Sequence, residues 1–84
     1  MGILDYLVSI SEEFASQARL RVLDQRRVLE LFERQGDKEA VRRAQAMLAT
    51  LERAYGVALD RLNADRAIAS RSSPANLGKA LPED

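Results

Sequence analysis

Glu30 and Glu33 stand three residues apart. On a helix that spacing puts both carboxylates on one face, where they could present oxygens to a metal ion. Helical di-metal sites complete such a pair with Glu-x-x-His, and the chain contains no histidine. Glu12-Glu13 is a second acidic pair with the same gap in its support. Cysteine is absent too, so neither a nucleophile–base set nor a thiolate zinc site can be assembled. The four glycines are isolated at Gly2, Gly36, Gly56 and Gly78, and no phosphate-cradling loop is encoded. The expectation is a non-enzymatic protein with no catalytic residue, metal, cofactor or small-molecule substrate. Glu30 and Glu33 then serve a solvated face with Arg26, Arg27 and Arg34 as local partners.

Arginine is the other residue type that could act. There are eleven Arg against two Lys. Arg26, Arg27, Arg34, Arg42 and Arg43 gather on either side of Gly36, a basic tip that could meet nucleic acid or an acidic protein. Asp24, Glu30, Glu33, Asp37 and Glu39 lie in the same stretch and offset it. The 13 basic and 13 acidic residues balance, and Phe32 is the one aromatic nearby. Binding to nucleic acid is therefore not favoured, since it draws on excess cation and on stacking platforms. A coding bias toward Arg accounts for the ratio without a function.

The elements that position these residues are helical. From about residue 3 to 35 there is no proline and no internal glycine, and Leu, Arg, Glu, Gln and Ala dominate. Ser9 with Glu12, or Ser11 before Glu12-Glu13, offers a start near residue 10. Ile3, Leu7 and Ile10 favour the start near residue 3. Gly36 suits a left-handed helix end, and Asp37 a cap for a second helix from about 38 to 70. Gly56 weakens that helix by roughly 1 kcal/mol relative to Ala. From residue 71 to 84, two prolines, a glycine and small polar residues predict a flexible tail.

Apolar residues on the second helix recur at alternating steps of three and four: Val41, Ala44, Leu48, Leu51, Tyr55, Ala58 and Leu62. Read backwards from Gly36, the first helix offers Phe32, Leu29, Gln25, Val22, Ala18, Phe14, Ile10 and Leu7, with a stutter at Phe14 where two steps of four adjoin. Folded at Gly36, the lists pair rung by rung, Leu29 on Ala44, Ala18 on Tyr55, Phe14 on Ala58. Large against small fills such layers. Leu4, Val8, Ala15 and Met47 widen this core. The fold expected is all-α, an antiparallel two-helix coiled-coil-like hairpin that assembles into a helical bundle.

Two helices bury little, and apolar residues remain. Leu20, Leu23 and Leu31, with Arg27 among them, lie off the first stripe, and Val57 and Ile68 off the second. A contiguous apolar patch marks an interface more often than tolerance at a surface. These six residues are the expected contact for a second copy, as a homodimeric four-helix bundle, or for a helical partner. No stretch approaches the ~18 apolar residues of a membrane span, and no secretory signal pattern opens the chain. The expected location is cytoplasmic.

Gly36-Asp37-Lys38-Glu39-Ala40-Val41, then Gln45 and Leu51-Glu52-Arg53-Ala54, resembles the second helix of the small E-type chaperones of type III secretion needle subunits. The likeness covers about a third of the chain. It implies a helical hairpin that acts as a cytoplasmic co-chaperone, binding a helical-repeat chaperone and through it the needle subunit.

Overall fold

A computed structural model describes residues 2–72. They form two helices, α1 (Ile3–Gln35) and α2 (Lys38–Ser72), packed on each other as an antiparallel hairpin. Helix α2 runs two residues past the expected end. The remainder of the expected tail, 73–84, lies outside the described residues.

Local chemistry sets the ends. Helix α1 starts at Ile3, and the Asp5 carboxylate accepts from the Gly2 backbone N–H at 3.2 Å. Gly2 has no side chain to return the bond, so this is half of a capping box. Gly36 adopts φ 76°, in the left-handed region. Its N–H donates to the carbonyl of Glu33, and the Asp37 N–H to that of Phe32, the paired bonds of a Schellman ending. Asp37 then accepts from the Ala40 N–H at 3.1 Å, capping α2. Two adjacent residues thus stop one helix and start the next.

The seam of α2 follows the expected spacing: Ala44 and Leu62 are buried, with Val41, Leu48, Leu51, Tyr55 and Ala58 half-buried. On α1 the outcome differs. Phe32, Leu29, Gln25, Val22 and Ala18 line the seam as expected and Ile10 is half-buried beside it, but Phe14 is 64% exposed and Leu7 is 42% exposed. The stutter does not occur. Steps of three and four continue through buried Ala15 and Ser11 to half-buried Val8 and Leu4. The physical reason is supercoil continuity. A sustained seven-residue repeat on α2 is matched only by a sustained seven-residue repeat on α1. Met47, expected to widen the core, is 51% exposed.

Every rung therefore keeps one register, from Phe32 opposite Val41 to Leu4 opposite Ala69. Polar contacts across the seam agree with it. Gln25 donates to the Ala44 carbonyl at 3.2 Å, Ser11 donates its hydroxyl to the Asp65 carboxylate, and no buried side-chain polar atom among the described residues lacks a partner.

Candidate interaction surface

The seven-residue repeat sorts the residues beside the seam into two flanks of different chemistry. One flank is charged. Its rows hold Glu12, Arg19 and Arg26 on α1, with Glu52, Leu59 and Arg66 on α2. Arg66 reaches Glu12 at 2.9 Å and Arg26 reaches Glu52 at 3.2 Å. These bridges lie two repeats apart with their signs exchanged between helices. Each side chain is about half exposed.

The other flank is apolar. Leu7, Phe14 and Val28 share one row of α1 with Arg21; Met47, Ala54 and Ile68 share the facing row of α2 with Arg61. The next rows outward add Ile3, Ile10 and Leu31 on α1 and Val57 on α2. Nine large apolar side chains are exposed in all among the described residues: Tyr6, Leu20 and seven on this flank. Scattered singly they would mean little, but a seven-to-two division between faces makes a side.

Two grooves indent this flank. One, of about 350 Å³, runs beside Phe14 and is lined by Gln17, Ala18, Arg21, Ala54, Val57, Ala58 and Arg61 as well. It follows from the corrected register. Phe14 stands outside the seam at the side of the groove, and the small side chains of Ala18, Ala54 and Ala58 leave the floor between the helices low. A second groove, of about 300 Å³ and nearer the turn, is lined by Gln25, Phe32, Ala40, Arg43, Ala44 and Met47.

The residues expected to form one contact divide between faces. Val57 (68% exposed), Ile68 (46%) and Leu31 (53%) are on the apolar flank. Leu20 and Arg27 share a row on the outer face of α1, away from α2, and Leu23 is half-buried toward the charged flank. Leu7, Phe14 and Met47 belong to the apolar flank too, though sequence alone had placed them in the core. The signal that would have found them is the charge pattern. Glu12, Arg26, Glu52 and Arg66 mark one side of a strict repeat, which leaves the row of Leu7 and Phe14 on the other.

At the expected basic tip, acids accompany most of the cations. Arg42 and Arg43 both pair with Glu39, at 3.5 and 3.4 Å, Arg27 pairs with Asp24 at 3.5 Å, and Arg26 is committed to Glu52. Arg34 sits in the last turn of α1, where its charge complements the helix C-terminus. No group of three or more potential metal ligands gathers among the described residues, Glu30 and Glu33 included. No described helix is long and apolar enough to cross a membrane.

Compared with protein-family models, curated proteins and solved structures, the chain matches none.

Proposed function

We propose that this chain is a non-enzymatic protein-interaction module that covers its apolar flank with another helical surface, either a second copy or a partner protein. The observation that carries this reading is the one-sidedness of the exposed apolar residues. Charge pairs occupy one side of the seam, while Leu7, Phe14, Met47, Val57 and Ile68 are left open on the other. A hairpin with one seam buries few side chains: Ala15, Val22, Ala44 and Leu62 are its buried apolar residues among those described. Covering the flank would add the second core layer that such a small unit lacks. A co-chaperone role of the kind that the second helix suggests would be one instance, with a helical protein as the partner.

The experiment is sedimentation velocity of the full chain, alone and with an excess of synthetic heptad-repeat helices of differing charge, for the parent and for Phe14→Asp/Val57→Asp. Assembly or complex formation by the parent, lost in the double variant at unchanged helicity, is the expected result. A chain that stays monomeric at high concentration and takes up no amphipathic helix of any charge overturns the reading.

A further inference from the structure

We propose that the groove beside Phe14 receives an acidic amphipathic helix from a different protein, its apolar side chains seated over Ala18, Ala54 and Ala58 and its carboxylates on Arg21 and Arg61. This rests on the interaction-module reading and specifies the partner's chemistry.

Shape supplies the first half. Three alanines, with Phe14 and Val57 standing at the sides, make a recess of about 350 Å³, the larger of the two grooves described on this flank. A Leu or Ile knob from an incoming helix fits such a hole between facing rows.

Charge supplies the second half. Arg21 and Arg61 line the same groove. The four rows of this flank carry Arg21, Arg43, Arg61 and Arg71 against a single carboxylate, Asp24; Asp24 pairs with Arg27, and Arg43 pairs with Glu39 from the adjoining outer row. Two acids beside these rows are engaged: Asp65 accepts from Ser11 and pairs with Arg61 at 3.7 Å, and Glu13 accepts from Gln17. The Arg61 side chain is 77% exposed. A chain of zero formal net charge thus places an excess of cations on the side where its apolar residues are open.

The same charges argue against a second copy. A two-fold contact sets this flank against itself. Four arginines and one aspartate would then meet four arginines and one aspartate, and juxtaposed like charges oppose association. A partner helix bearing Glu or Asp beside its apolar stripe has the complementary pattern.

The test uses the full chain and three labelled synthetic helices of roughly three heptads with one common Leu/Ala stripe. Their flanking positions are all Glu, all Gln or all Lys, and binding is read by fluorescence anisotropy. The Glu helix is expected to bind at least about tenfold tighter than the Gln helix, with the advantage shrinking as salt rises from about 50 to about 500 mM. Arg21→Glu/Arg61→Glu should transfer the preference to the Lys helix, and Arg21→Gln/Arg61→Gln should abolish it. Equal binding of the Glu and Gln helices overturns this proposal while the interaction-module reading stands. So does a chain that dimerises by itself and is made monomeric by Val57→Asp, since the occupant is then a second copy. No binding of any helix by a monomeric chain overturns both.

Discussion

Ser11 on α1 donates its hydroxyl to the carboxylate of Asp65 on α2, a polar contact inside a mostly apolar seam. Ser11 is buried, with 6% of its surface exposed, and the Asp65 side chain retains 18%. A carboxylate so placed depends on its donors, and its remaining cation, Arg61, stands off at 3.7 Å. Ser11→Ala is therefore expected to lower stability by about 1–3 kcal/mol, because the acceptor loses its partner while staying largely desolvated. Ser11→Ala/Asp65→Leu should recover that loss or exceed it, since an apolar pair removes the desolvation cost from both sides. Urea unfolding followed by helicity checks both. A single variant as stable as the parent would show that the hydroxyl contributes nothing across the seam.

The turn was legible because its chemistry is local. Gly36 needs the left-handed conformation and Asp37 caps the next helix, so two adjacent residues specify a hairpin. Helix α2 was legible because its stripe is apolar at almost every step. Helix α1 misled at its first half for a physical reason. Phe14, Ile10 and Leu7 are larger and more apolar than Ala15, Ser11 and Val8, and burial per residue favours the larger set. Continuity of the supercoil favours the smaller set, and it prevails over some three turns of helix. The polar rung was encoded as well: a strict repeat sets Ser11 and Asp65 at neighbouring levels, whereas the stuttered one leaves Asp65 against Leu7. The sequence showed that apolar residues exceed what one seam can hold. Which side they occupy required the register.

Burial in the two registers can be told apart by truncation. Phe14 lies outside the seam and is 64% exposed, whereas Leu62 is 6% exposed within it. Leu62→Ala should cost about 2–4 kcal/mol, as for other buried leucines. Phe14→Ala should cost less than about 1 kcal/mol, despite removing the larger side chain. Thermal and urea unfolding of dilute protein give both values without contribution from association. Were Phe14→Ala the more damaging change in the monomer, the stuttered register would be the correct one.

Two glycines should respond to the same substitution with opposite signs. A Cβ at Gly56 meets nothing within 4 Å, and the residue lies inside α2 with an ordinary helical neighbourhood. Gly56→Ala is expected to stabilise the hairpin by about 1 kcal/mol through helix propensity and a less disordered unfolded chain. A Cβ at Gly36 also has space, but φ there is 76°. Gly36→Ala should cost about 1–2 kcal/mol for the left-handed backbone alone. Differential scanning calorimetry of the two variants beside the parent reads both signs in one series. A loss at Gly56 would mean that another surface approaches the helix there, as in an assembly that uses that face.

The charged flank should contribute specificity more than stability. Glu12–Arg66 and Arg26–Glu52 are close, at 2.9 and 3.2 Å, but about half of each side chain faces water. Screening and the entropy of long side chains leave such pairs at about 0.2–1 kcal/mol. Double-mutant cycles to Ala are expected to return couplings in the lower half of that range, falling further as salt rises. The exchange of signs between the bridges carries the larger consequence. In the observed register acid meets base at both levels, so a variant with like charges at both, Glu12→Arg/Glu52→Arg, should lose more than the sum of two missing bridges. Repulsion then acts at each end of the seam. Restoring opposition with Arg26→Glu/Arg66→Glu in the same chain should return stability to near the parent value. Recovery by charge exchange, measured as the urea midpoint, would assign these four residues to register selection. Failure to recover would place the cost in lost packing of the arginine stems instead.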